Sequence, residues 1–179
     1  MFPYLLLLLA KERIFNMEAE MRKYIVGQTA PAKKTYDAKW LDLESIATVR
    51  ITTEDPAYPI ENALSRNPEQ NEIGWRAGTP GVQRITLSFD QPQKIRHIHL
   101  LFIDHQTERS QEFVMRYSTP AETGREIVRQ QWNFSPTGSS QEIEDYTVEL
   151  DSVTELELAI DPDRGLGQAF ATLNALRLA

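Results

Sequence analysis

The feature that most restricts the fold of this 179-residue chain is a series of short β-rich segments at nearly regular spacing. After position 40, segments rich in β-branched and aromatic residues alternate with turns that contain Gly, Pro, Asp and Ser. Such spacing is typical of an all-β sandwich or barrel. The predicted strands are 45–53, 82–89, 94–103, 111–118, 125–134, 141–150, 153–160 and 169–178, with one helical turn at 60–64.

The connections between these strands fall into two groups. If successive strands are antiparallel, the connections alternate between the two ends of the fold. The short turns at 90–93, 119–124 and 151–152 then lie at one end. Because loops on a rigid β scaffold commonly carry binding residues, we expect a ligand site at the other end. The long segments at that end, which we call the rim, are 54–81, 104–110, 135–140 and 161–167.

The first 39 residues differ in composition from the rest of the chain. The stretch MFPYLLLLLA is too short to span a bilayer, and it lacks the basic start and cleavage site of a secretory signal. A degenerate signal, an amphipathic helix within 5–25, and an upstream extension before a start at Met17 or Met21 remain open. We expect a helical or disordered extension and linker over 1–39, a domain over 40–179 and a cytoplasmic location.

Composition argues against several functional classes. The chain has 19 Lys and Arg against 26 Asp and Glu, a formal net charge of −7. Nucleic acid or an anionic membrane requires a basic face, so neither is expected as a partner. The absence of cysteine rules out disulfides and thiolate chemistry. No G-x-S-x-G, H-E-x-x-H or phosphate-loop motif occurs, so we expect no enzyme, and a small hydrolase is the least favoured hypothesis.

The segment IVRQQWNFSPTG at 127–138 shows how one strand divides its side chains between two faces. Trp132 and Phe134 share a face with Val128, which predicts core packing and a hydrogen-bond partner for the indole N–H. Arg129 and Asn133 lie on the opposite face and form a polar stripe toward the rim. This stripe is either a solvated strand face or a row of ligand-binding groups.

Four motifs in order resemble a known family. They are YPIENAL followed by GWRA, ITLSFDQPQKIRHIHLLF, EFVMRYS with a following Thr-Gly, and GLGQAFATLNALRL. From Ser45 to Leu178 the chain resembles the discoidin domain (coagulation factor 5/8 type C) of the galactose-binding-like group. The resemblance implies an eight-stranded antiparallel jelly-roll β-sandwich. It also implies a non-catalytic module that binds a glycan, a lipid headgroup or a protein at the rim.

The chain departs from this family at residues tied to a structural calcium ion in many carbohydrate-binding relatives. Ser65 and Arg66 replace an Asp-Gly pair, and Ala175 replaces a glutamate of the last strand. Calcium requires six to eight oxygen ligands, so the loss of these carboxylates makes the site doubtful. No cofactor or metal is therefore expected, although Asn62, Asn67 and Glu69 could still contribute oxygens.

The candidate ligand-binding residues are polar or aromatic side chains predicted on or near the rim. Arginine suits bidentate contact with vicinal hydroxyls or a carboxylate. For Arg109, pairing with Asp104, Glu108 or Glu112 is an equal alternative, and for Asp163 a solvated turn is the simpler interpretation. The candidates are Tyr58, Arg76, His105, Arg109, Arg129, Asn133, Asp163 and Arg164.

The first functional hypothesis is a carbohydrate-binding module whose partner is a glycan or another polar small ligand. The alternative is a structural or protein–protein interaction domain that has lost the sugar site. The acidic charge and the missing calcium carboxylates favour the alternative more than the family resemblance does.

Overall fold

The computed structural model describes residues 40–66 and 72–179. The extension and linker predicted for 1–39 lie outside these residues, as do Asn67 and Glu69. Within the described part of the chain, no helix is long and apolar enough to cross a membrane.

The described residues form two short helices and eight strands. The helices are α1 (Leu43–Ile46) and α2 (Ile60–Leu64), the second at the predicted helical turn. The strands are β1 (Ala47–Ile51), β2 (Trp75–Arg76), β3 (Gln83–Ile103), β4 (Arg109–Ser118), β5 (Arg125–Phe134), β6 (Gln141–Asp161), β7 (Thr172–Leu173) and β8 (Ala175–Leu178).

Two long strands, β3 and β6, take part in both layers of an antiparallel sandwich. Their 83–88 and 155–160 halves pair with each other, with β1 beside β3, β4 beside β6 and β5 at the edge beside β4. Their other halves pair over 95–103 and 141–150, with β8 on the far side of β3. The predicted all-β antiparallel sandwich is confirmed.

The strand boundaries correct the sequence prediction in two places. The predicted strands 82–89 and 94–103 are one strand, and so are 141–150 and 153–160. Register shifts between Ser88 and His97 bend β3, and a positive φ of 57° at Ser152 accompanies the bend of β6. Bulges of this kind re-aim a strand without ending it, so polar residues that resemble a turn in sequence lie within a bent strand.

The ends of the predicted strand set also differ. The first strand begins at Ala47 rather than position 45, because α1 takes up the preceding residues. The last predicted strand is divided into β7 and β8 by Asn174. The Asn174 backbone N–H donates to the Leu101 carbonyl at 2.7 Å, and its side-chain oxygen accepts from the Ile103 N–H at 2.9 Å. The strand β2 was not predicted.

The core lies between the two layers. Phe102 of β3 and Phe113 of β4 stack across it with ring centroids 5.3 Å apart. Phe134 is buried, and Trp132 is partly buried against the core, as predicted. The predicted partner for the Trp132 indole N–H is wrong, because that buried nitrogen has none among the described residues.

A buried arginine bridges α2 and β8, the elements between which the family resemblance places calcium. Arg177 is 5% exposed, and its Nη1 donates to the Ala63 carbonyl at 2.6 Å and to the Leu176 carbonyl at 2.9 Å. Burial lowers the pKa of Arg177 to about 10. Ala175 is fully buried beside it, and no group of three or more His, Asp and Glu among the described residues is arranged to hold a metal. The described residues therefore do not fit a calcium ion here.

This arrangement predicts that the fold depends on Arg177 and not on a chelatable metal. Arg177→Met keeps an apolar stem but leaves the buried Ala63 carbonyl without its donor, so we expect a loss of about 1–3 kcal/mol of unfolding free energy. Urea denaturation measures it, with the exposed Arg84→Met as the matched control. A melting temperature that falls on addition of a chelator would contradict the account.

Candidate functional site

A cavity of about 350 Å³ opens at the rim. Its lining residues come from the predicted rim segments 54–81 and 104–110, from 168–174, directly after a third rim segment, and from Ile103 at the end of β3. The fourth segment, 135–140, is joined to this group because the Asp104 N–H donates to the Ser140 carbonyl at 2.9 Å. The structure thus agrees with the predicted grouping of the long segments at one end.

Four of the predicted residues line this cavity: Tyr58, Arg76, His105 and Arg109. Tyr58 is 37% exposed, and the Arg76 N–H donates to its backbone carbonyl at 3.2 Å. The Arg76 guanidinium lies over the Phe170 ring, 4.6 Å from its centroid. This stacking fixes the direction of the arginine while one face of the cation stays off the ring. The role of these residues as ligand contacts remains a prediction.

Three buried donors among the lining residues lack a partner within the described part of the chain. They are Trp75 Nε1, Thr172 Oγ1 and Arg109 Nη2. In the β2–β7 pair Trp75 lies opposite Leu173 and Thr172 lies opposite Arg76, so the Trp75 and Thr172 side chains lie on opposite faces of the ladder. Buried polar groups are normally hydrogen-bonded, and an unmet donor costs roughly 1–3 kcal/mol. Because each of these three atoms is itself shielded from solvent, the donors do not mark where a ligand would bind.

Arg109 supports the cavity wall from behind. Its side chain is 3% exposed; Nε donates to Asp104 Oδ2 at 2.7 Å, and Nη1 donates to Gln111 Oε1 at 2.8 Å and the Pro162 carbonyl at 2.9 Å. The cation also lies over the Phe134 ring at 4.4 Å. Of the three partners considered from sequence, Asp104 is therefore the observed one, and an exposed ligand-binding arginine is not what the structure shows.

Asp104 in turn organises the 104–107 loop, which forms one wall of the cavity. Its Oδ1 accepts from the Gln106 N–H at 2.9 Å and from the Thr107 N–H at 3.0 Å. Burial opposes ionisation of Asp104, but the hydrogen bonds from Arg109 and these two amides hold the pKa of its carboxyl below the usual range. A charged Asp104 therefore pins both Arg109 and the loop backbone.

Asp163 supports a second wall of the cavity and does not line it. Its carboxylate accepts from the backbone N–H groups of Gly167, Gln168 and Ala169 at 3.0, 2.6 and 2.8 Å. Burial opposes ionisation, but these hydrogen bonds hold the pKa of Asp163 below its usual range. The solvated aspartate expected from sequence is wrong, because the side chain is buried.

Three further candidates lie away from the cavity. Arg129 pairs with Glu112 at 2.6 Å and with Glu126 at 3.1 Å on an exposed strand face. Asn133 accepts a hydrogen bond from the Ser110 hydroxyl at 2.7 Å, and Arg164 is exposed on its loop. The interpretation of the polar stripe as a solvated strand face is the one that fits Arg129 and Asn133.

Sequence reasoning missed several cavity residues. Trp75, Phe170 and Thr172 line the cavity, and Ile73 adds an exposed apolar side chain. The one signal in the sequence was the GWRA motif, which contains Trp75. The β2–β7 pair contains two residues on each strand and joins positions almost one hundred residues apart, so no local pattern reveals it.

No family model matches the sequence, and no curated protein matches it. Solved structures do. A pectin-binding carbohydrate-binding module superposes with a TM-score of 0.53 at 17% identity, over 74% of this chain and 89% of that one. A family 32 carbohydrate-binding module from C. perfringens NanJ, in complex with galactose, superposes with a TM-score of 0.53 at 14% identity, over 78% of this chain and 97% of that one. The family 32 module of AlyQ, in complex with 4,5-unsaturated mannuronic acid, superposes with a TM-score of 0.50 at 16% identity, over 75% of this chain and 95% of that one.

These structural neighbours are carbohydrate-binding modules of the discoidin or galactose-binding-like fold. At such low identities the similarity establishes the fold of this chain, a jelly-roll β-sandwich, and the fold expected from the sequence resemblance is confirmed.

Arg109 and Arg129, both predicted from the sequence as ligand-binding residues, should differ in their contribution to the free energy of unfolding. Arg109→Met removes one partner of a buried pair, so we expect a loss of about 3–5 kcal/mol in the free energy of unfolding. Arg129→Met breaks only exposed pairs, so we expect the free energy of unfolding to stay nearly unchanged. Chemical denaturation of both variants checks this, and equal effects would show that the Arg109 contacts contribute no more than a surface ion pair.

Proposed function

We propose that the protein is a non-catalytic carbohydrate-binding module that binds a glycan in the rim cavity. The observation that carries the proposal is the open rim cavity, in whose lining the Arg76 guanidinium is held over the Phe170 ring and Tyr58 is exposed. Sugar hydroxyl oxygens accept hydrogen bonds from such a guanidinium, and a bound water is the competing occupant.

The rest of the cavity suits the two kinds of surface that a sugar presents. Tyr58, Phe170 and Ile73 supply aromatic and apolar area for the C–H faces. Arg76 supplies a planar guanidinium held over Phe170, which can donate to two neighbouring hydroxyls or to a carboxylate. The combination of an apolar surface with a few directed donors is typical of small-ligand sites.

The structural neighbours support a carbohydrate as the ligand class without selecting one sugar. One binds pectin, another is in complex with galactose and a third with an unsaturated mannuronic acid. Arg76 is compatible with a neutral or an acidic sugar, while Glu72 in the same lining disfavours the acidic one. Neutral and uronic-acid glycans therefore belong in the same binding test.

The second candidate function is a protein-interaction domain. It is favoured by the exposed side chains of Val82 and Leu166. They lie on neighbouring loops, because the Gly81 N–H donates to the Ala169 carbonyl at 2.9 Å. Two apolar side chains form a smaller feature than the cavity, so glycan binding is the better supported proposal.

The proposal predicts that affinity depends on the cavity mouth. Once a glycan array has identified a ligand, Arg76→Gln and Tyr58→Ala should each weaken binding by about tenfold or more, equivalent to about 1.4 kcal/mol. Arg129→Gln is the matched control and should bind like the unmodified protein, since Arg129 lies outside the cavity. Isothermal titration calorimetry measures the affinities.

Two outcomes would contradict glycan binding at this site. One is a folded protein that binds no neutral or acidic glycan on the array. The other is binding that Arg129→Gln weakens as much as Arg76→Gln does, which would place the ligand on the strand face.

A further inference from the structure

A continuous chain of buried polar contacts runs from the cavity wall into the core. Asp104 accepts from Arg109, and Arg109 Nη1 donates to Gln111 Oε1 at 2.8 Å. Gln111 Nε2 then donates to Glu142 Oε2 at 3.4 Å. Gln111 and Glu142 are both 0% exposed. The chain therefore connects a loop at the rim to a carboxyl group on β6 that water does not reach.

Glu142 decides which way the Gln111 amide faces. A glutamine amide has a donor side and an acceptor side, and only the acceptor oxygen can receive the Arg109 guanidinium. The donor side must then find an acceptor in the buried interior, and Glu142 Oε2 provides it. Without that acceptor, the Arg109 contact alone would oppose the flipped amide, whose NH₂ group faces the cation and breaks that contact.

We propose that Glu142 is a positioning residue for the rim cavity: by fixing the Gln111 amide it keeps Arg109 on Asp104 and so holds the 104–107 wall in place. The consequence for ligand affinity rests on the proposed function, but the effect on the wall itself does not. The order of this wall can be measured directly at the Gln106 and Thr107 amides, because both donate hydrogen bonds to Asp104.

The protonation state of Glu142 gives the positioning role a pH dependence. Burial, together with the nearby Glu144 carboxyl, raises the pKa of Glu142 to about 8, against the opposing effect of Arg109. The groups facing it are Glu144 and Tyr146 on β6 and Arg109 on β4, while β3 places Phe102 opposite it. At neutral pH the protonated carboxyl accepts from Gln111 and adds no charge that competes for Arg109.

The sign of the effect follows from the raised pKa. The stabilisation that protonated Glu142 gives to the folded state is complete below the ordinary glutamate pKa and is lost as the pH rises through about 8. Above that pH, the Glu142 carboxylate attracts the same guanidinium that Asp104 holds. The contact between Arg109 and Asp104 then weakens, and the 104–107 loop is held less firmly.

The test compares the unmodified protein with Glu142→Gln and Glu142→Leu. Glutamine keeps the acceptor oxygen but cannot ionise, whereas leucine removes the acceptor and tolerates burial. Glu112→Gln, which changes a partly exposed carboxylate paired with Arg129, is the control. The readouts are hydrogen-exchange protection factors of the Gln106 and Thr107 amides, and affinity for the array-identified glycan, from about pH 6 to pH 9.5.

We expect the protection factors and affinity of the unmodified protein and of the control to fall by about threefold to tenfold between pH 7 and pH 9.5. Glu142→Gln should keep near-normal values with no such fall. Glu142→Leu should reduce both readouts by about tenfold at every pH, with circular dichroism confirming that it is folded.

The inference is overturned if folded Glu142→Leu keeps normal protection of the two amides, or if Glu142→Gln shows the same pH dependence as the unmodified protein. If protection responds as expected while no variant binds a glycan, the positioning role stands and the proposed function fails. The two failures are therefore distinguishable.

Discussion

The site depends on the bending of β3 and β6, each of which begins and ends at the rim. β3 starts at Gln83 beside Ile160 and returns to the rim at Ile103 beside Gln141. One bent pair of strands therefore provides the central ladder of both layers. It also fixes the ends from which the 104–108, 135–140 and 162–171 connections leave. Because the ladder is continuous across both layers, these connections converge on one end, and the cavity forms between them.

The loops at the rim are held by buried charges rather than by apolar packing alone. Arg109 ties the 104–107 loop to the Pro162 carbonyl, and Asp163 ties together the backbone of 167–169. Each charged group makes several directed hydrogen bonds, so each fixes geometry as well as contributing energy. Side chains that a sequence suggests as ligand contacts can instead build the walls between which a ligand lies.

The sequence predicted the features that depend on local patterns. Alternation along 127–134 assigned Phe134 to the core, and turn residues located most of the strands. It did not separate a bend from a turn at 90–93, because Asp, Pro and Gln suit both. It could not place Thr172 beside the cavity, since that depends on the long-range pairing of β2 with β7. It could not decide whether Arg109 faces solvent or the Pro162 carbonyl, because side-chain partners across the fold leave no local pattern.

The central claim, that the rim cavity binds a glycan, is tested most directly by backbone amide chemical-shift mapping during a titration with neutral and uronic-acid oligosaccharides. The account predicts saturable shifts in the amides of the 104–107 and 168–172 segments, with the Arg129 and Asn133 amides on β5 unchanged. Saturable shifts confined to β5, or no shifts with any of the sugars, would contradict it.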